Sequence, residues 1–250
     1  MNDFNIEELD NIDNKIIEDV NSIGWSVILI KATRYLPSFA YTIGLWKNYQ
    51  HSEIIAFGLT TDTLHAILNI AGENIKAGVK YTIGQNYSEF FINSDAQFLT
   101  VDNRNIRDYF GYAIWFNRGT DFPAIELIWT DRNNKFPWDE DYQEEFLYRQ
   151  PLLDRNAEFK FREDRDLGVY TTRQWLELGK PILRVVHEDD GDWQFLTCDQ
   201  MPEDIRLVAL EAMIKSDPSL NDIFNLEYGV AAERTDISAR WDRHEIAYDE

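Results

Sequence analysis

FAYTIGLWKNYQHSEIIAFGL, residues 39–59, is the stretch from which the fold is read. It opens with the apolar run Phe39-Ala40-Tyr41-Thr42-Ile43 and turns at Gly44. It then crosses a polar linker and resumes as Ile54-Ile55-Ala56-Phe57, closed by Gly58. β-Branched and aromatic residues bounded by glycine have the composition of strands. The spacing therefore predicts two strands that bracket His51 and Glu53. A histidine and a glutamate two apart on a strand point to one face, where they could serve as a general base and its orienting carboxylate. Tyr41, Thr42, His51 and Glu53 are the candidate lining of a pocket. The simpler reading, a polar turn wetted by solvent, weighs more, because no nucleophile accompanies them.

Working outward, residues 5–22 place Ile6, Leu9, Ile12 or Asp13, Ile16 and Val20 at helical spacing, with Gly24 as the stop. Trp25–Ile30 follows as a first strand. After Phe57 the cluster Thr60-Thr61-Asp62 is a helix N-cap. Leu64, Ile67, Leu68 and Ala71 make one face of a helix ending near Gly78, on which Asp62 and His65 could meet. Strands are expected at 81–83, 87–92, 96–101 and 124–129, and a short helix over 105–113. Asp131–Asn134 reads as a turn. Neither strict βαβ alternation, nor a glycine-rich phosphate loop, nor an internal repeat is visible. The expected class is α+β: a mostly antiparallel sheet, which could curve into a barrel, with a long helix inserted, followed by a smaller α+β domain.

The expected divisions are a domain over 1–140, a charged connector over 141–167 and a domain over 168–250. In the last, Thr172 caps a short helix stopped by Gly179. Pro181–Val186 and Asp192–Thr197 read as a hairpin around His187-Glu188-Asp189-Asp190-Gly191. Ile205, Val208, Ala209, Ala212 and Met213 read as the buried face of a helix that starts at Pro202 and ends before Pro218.

An apolar fraction of 44% suffices for real cores and argues against overall disorder. The net charge is −21, from 45 acidic and 24 basic residues. Residues 1–140 hold 19 acidic and 11 basic side chains, residues 141–250 hold 26 and 13. Such a field repels nucleic-acid backbones and anionic membranes and attracts basic proteins; solubility alone explains it equally well. No apolar run approaches the ~20 residues that span a bilayer. The acidic N-terminus lacks a secretory pattern, and the single Cys198 makes no internal disulfide, so a cytoplasmic location is expected. The four histidines and Cys198 have no zinc spacing. The 187–192 turn lacks the length and closing glutamate of an EF-hand, and no G-x-S-x-G is present. No metal, cofactor or catalytic residue is assigned.

Gly24-Trp25, Phe39–Leu45, His51-Ser52-Glu53-Ile54, Glu126–Asp131 and Phe136-Pro137-Trp138 together resemble the blocks of an uncharacterised bacterial family, a domain of unknown function, over about residues 14–139. Ser52 stands where that family has proline and Glu126 where it has glutamine. The resemblance implies no activity. More loosely, Val169–Thr172, Pro181–His187, Asp190–Phe195, Asp217-Pro218 and Gly229–Arg234 resemble a family of small immunity proteins of bacterial polymorphic-toxin systems. That family more often has Ser-Gly-Trp where this chain has Gly191-Asp192-Trp193. The resemblance implies a role in binding and neutralising a toxin. Together with the acidic charge, it leads to the expectation of a cytoplasmic protein that binds a cognate basic toxin and occludes its active site. Glu188, Asp189, Asp190 and Asp192 would be the partner-binding turn and Trp193 its anchor. The alternative is an enzyme that binds a small molecule or flavin in a split-barrel-like first domain, around Tyr41, Thr42, His51 and Glu53. A structural or adaptor protein is the third reading.

Overall fold

The computed structural model describes residues 6–246, and within the first helix the side chains from residue 11 onward. The chain divides into two units: one takes in the chain up to Ala32 together with Pro37–Ala157, the other Thr33–Leu36 and the chain from Glu158 on. The charged stretch 141–167 is thus shared between them.

In the first unit the elements are α1 (Ile6–Ser22), β1 (Ser26–Ile30), β2 (Phe39–Ile43), α2 (Leu45–Tyr49), β3 (Glu53–Phe57), α3 (Thr61–Lys76), β4 (Tyr87–Phe91), β5 (Ser94–Thr100), α4 (Ile106–Tyr109), α5 (Gly111–Asn117) and β6 (Ala124–Trp129). Six strands form one sheet in the order β1-β2-β3-β6-β5-β4. Every pairing is antiparallel except β3 with β6. The sheet is open, with β1 and β4 as its edges, so closure into a barrel is not found. All five residues of β3 and all six of β6 are buried. The cause is a cover on both faces. Leu64, Ile67, Leu68 and Ala71 of α3 pack with Ile54, Ala56, Ile125 and Leu127 on one side. Ile16 and Val20 of α1, Ile106 of α4 and Ala113 of α5 pack with Tyr41, Ile43, Ile55 and Phe57 on the other. Strands buried on both faces read as continuous apolar runs rather than alternating ones, which is why residues 39–43 and 54–57 are so plain in the sequence.

Several local expectations change. The linker after Gly44 contains the helix α2, and residues 81–83 form no strand. The helix expected over 105–113 is two, broken at Phe110. His65 pairs with Asn69 rather than Asp62. The side chains of Ile6 and Leu9, and Asn5 altogether, lie outside the described residues.

The second unit contains β7 (Gly168–Thr172), α6 (Arg173–Leu178), β8 (Arg184–His187), β9 (Trp193–Leu196), β10 (Ile205–Ala209), α7 (Leu210–Ser216), β11 (Val230–Glu233) and β12 (Asp242–Glu245). Its sheet runs β10-β7-β9-β8-β11-β12, antiparallel except for β7 with β9. Thr172 caps α6 by accepting from the Trp175 N–H. Of the helix expected from Pro202, a single 3-10 turn forms over Pro202–Asp204, and a strand and then a shorter helix follow it. Ile205–Ala209 pairs with β7 in the register Ile205↔Thr172 to Ala209↔Gly168, and Ile205, Ala209 and Ala212 are exposed. A short apolar run does not declare its period by itself, and here the free edge of β7 supplied ladder partners that a helix would forgo. Among the described residues no helix is long and apolar enough to cross a membrane.

Gly72, in the middle of α3, shows how tightly the first unit is packed. A Cβ there would lie 2.3 Å from Cε2 of Trp25, whose indole donates to Asn69 at 3.0 Å. Helix propensity alone favours Gly72→Ala by about 1 kcal/mol, whereas forcing a methyl into a filled core costs about 1–3 kcal/mol. Since the clash is with a buried ring, the second effect wins. Gly72→Ala is expected to lower the urea-unfolding free energy by about 1–2 kcal/mol, the sign opposite to that of propensity.

Candidate functional site

Glu53 opens β3 with no exposed surface. Its carboxylate accepts from Thr42 Oγ1 at 2.7 Å, Gly44 N at 2.8 Å, Trp46 N at 3.1 Å and Leu45 N at 3.4 Å. The last three are amides at the start of α2, which have no partner within the helix. Gly44 reaches the left-handed conformation, φ 108°, that lets the chain leave β2 and enter α2 above the carboxylate. Thr42 completes the network by accepting from Ile54 N at 2.9 Å. Burial pushes the Glu53 pKa up to about 7 against the pull of these donors.

The four side chains expected around a pocket do not converge. Thr42 and Glu53 meet each other. Tyr41 lies in the core on the α1 and α5 side, its hydroxyl accepting from Tyr112 N at 3.1 Å. His51 is in the loop before β3, not on the strand, and its hydrogen bonds go elsewhere. Nδ1 meets Ser52 O at 2.8 Å and Nε2 accepts from Tyr81 N at 3.4 Å. This pattern puts the proton on Nδ1 and leaves a neutral ring, in line with a pKa lowered chiefly by burial. His51 and Glu53 therefore make no base–carboxylate pair. His51 instead borders a cleft of about 660 Å³, with Lys76, Lys80, Tyr81 and Asn103 around it. None of those four was singled out by the sequence, since they come from three separate segments.

Both Glu53 and His51 lie in a part of the chain that matches a known family. Residues 19–143 match the family described as Domain of unknown function (DUF4262). The chain belongs to this family. No curated protein and no solved structure matches it. Within the DUF4262 region, Asp131 accepts from the N–H groups of Asn133, Lys135 and Gln143, and Phe136 stacks on Trp138 with centroids 5.0 Å apart. Glu126 is fully buried, and burial raises its pKa well above the usual carboxylate range. One of its oxygens accepts from Leu153 N at 2.9 Å. In the neutral form it buries no charge.

The match ends at residue 143, well before the acidic turn of the second unit. Glu188 N donates to Asp192 O at 2.9 Å and Gly191 N to Glu188 O at 3.1 Å, which closes the hairpin between β8 and β9. Asp189, Asp190 and Asp192 are exposed; Asp189 pairs with Arg34 at 3.0 Å, and Glu188 accepts from Gln194 at 2.7 Å. Trp193 is not at the surface. It is 1% exposed and stacks on His187, centroids 3.9 Å apart. A partner anchor must be reachable, so that expected role passes from Trp193 to a structural one. His187 holds Leu226 O at 2.6 Å through Nδ1 and packs against the edge of Tyr35, and burial lowers its pKa to about 4. Among the described residues no group of three or more His, Cys, Asp or Glu is placed to hold a metal ion.

The Glu53 network has a pH signature. Between about 4.5 and about 7 the folded state keeps a proton on Glu53 that the unfolded chain has released. The stabilisation is complete below about 4.5 and is lost as the pH rises through about 7. Relative to Glu53→Gln, which does not titrate, the wild type is expected to lose about 2–3 kcal/mol between about pH 5 and pH 8. Urea unfolding of both proteins across that range reads the difference.

Proposed function

We propose that the chain acts by stoichiometric protein binding, as a bacterial immunity protein whose second unit covers the active site of a cognate basic toxin in the cytoplasm. The observation that carries this reading is the turn between β8 and β9, with three exposed aspartates in four residues, Asp189, Asp190 and Asp192. Beneath it the buried His187–Trp193 stack anchors the two strands that carry the turn. The looser resemblance of residues 168–245 to toxin-immunity proteins points the same way, as does the acidic excess of residues 141–250. An acidic surface steers a basic partner and speeds its association.

An enzyme built on Tyr41, Thr42, His51 and Glu53 takes second place. The polar atoms of those four side chains are already engaged inside the fold.

The test is co-expression with the product of the neighbouring gene. Binding and protection of the host are expected, and failure on both counts would overturn the reading. Asp190→Lys with Asp192→Lys is expected to slow association about tenfold at low ionic strength, with the difference fading as salt is added. Stopped-flow measurement over a salt series reads this.

A further inference from the structure

The cleft beside His51 differs chemically from the rest of the protein. The chain carries 45 carboxylates against 24 basic side chains, yet no aspartate or glutamate lines this space. Its charged groups are Lys76 and Lys80. Lys76 is held in place by donating to Ile23 O at 2.9 Å. Lys80 is exposed and has no ion-pair partner among the described residues. The Lys76 ammonium also lies over the Trp25 ring, 5.8 Å from its centroid. The rest of the lining includes the apolar Ile83, Val101 and Ile125 and the neutral polar Ser52 and Asn103.

The cavity is built, not incidental. Residues 77–86 have no regular structure and border it. Gly78 and Gly84, at φ 98° and 74°, let this segment bend, and neither would meet a neighbour if it bore a Cβ. The segment is pinned by Tyr81 N to His51 Nε2 and by Gly84 N to Phe98 O at 3.0 Å. The volume of about 660 Å³ falls among small-molecule sites, roughly 300–1,000 Å³.

We propose that this cleft binds a small amphipathic anion, its carboxylate or phosphate head met by Lys80 and Lys76 and its apolar body laid against Ile83, Val101 and Ile125. The negative charge of the chain opposes an anion only at long range. At physiological salt that field is screened beyond ~8 Å, so the two local cations decide the sign. Apolar walls lower the local dielectric and strengthen their attraction. This site is independent of the toxin-binding reading and stands or falls without it.

Calorimetric titration of the full chain tests the assignment, with octanoate and octyl phosphate as anionic probes and octanol and octyltrimethylammonium as controls. Saturable one-to-one binding of at least one anion is expected, with both controls at least about tenfold weaker. The two anions distinguish a carboxylate ligand from a phosphate one. Lys80→Glu is expected to weaken binding about tenfold. Thr100→Trp, which fills the cleft from an exposed position, is expected to abolish it. Unchanged unfolding midpoints establish that both variants are folded, and Lys80→Gln stands in if the reversal destabilises. Absence of binding by both anions, controls that bind as tightly, or either variant leaving affinity unchanged would overturn the proposal.

Discussion

The carboxylate of Glu53 holds together the part of the molecule on which the rest of the first unit is assembled. A charge-bearing group with no exposed surface is costly to bury, and here four donors surround it. Those donors belong to the end of β2, the turn at Gly44 and the first residues of α2, while the acceptor begins β3. One side chain therefore ties the start of β3 to the end of β2 and satisfies helix amides that would otherwise be orphaned. It also sets where β3 starts, and with it the parallel register against β6, which pairs Glu53 with Ala124.

From that register the three-layer arrangement follows. The middle strands β3 and β6 are covered on both faces, so their side chains are committed to packing, and chemistry is pushed to the ends of the sheet. The cleft lies at one such end, bordered by the loop before β3, the segment after α3 and the residues that follow β5. In the second unit the equivalent consequence is the β8–β9 turn. The strands bury His187 and Trp193, and the chain between them has nowhere to go but solvent, where its aspartates are cheaply hydrated.

The two units illustrate different degrees of legibility. Residues 39–43 and 54–57 declared themselves because double-sided burial demands uninterrupted apolar strands. Thr60 and Thr172 declared their helices because capping is a local hydrogen bond. Ile205–Ala209 did not, since its conformation is decided by the exposed ladder of β7 rather than by its own residues. The expected Trp193 anchor failed for a related reason: an aromatic in a hairpin faces either solvent or core, and the stacking partner His187 lies across the strand pair.

By itself the sequence determined the strands at 39–43 and 54–57, the capped helices, the hairpin and the acidic excess, because each depends on neighbours within a few residues or on composition. Only the tertiary structure decided that Glu53 is a structural cap, that His51 is a neutral strut, and that Lys76 and Lys80 share a cleft without carboxylates. Those facts depend on which distant segments meet, and burial and pairing between distant segments have no local signature in the chain.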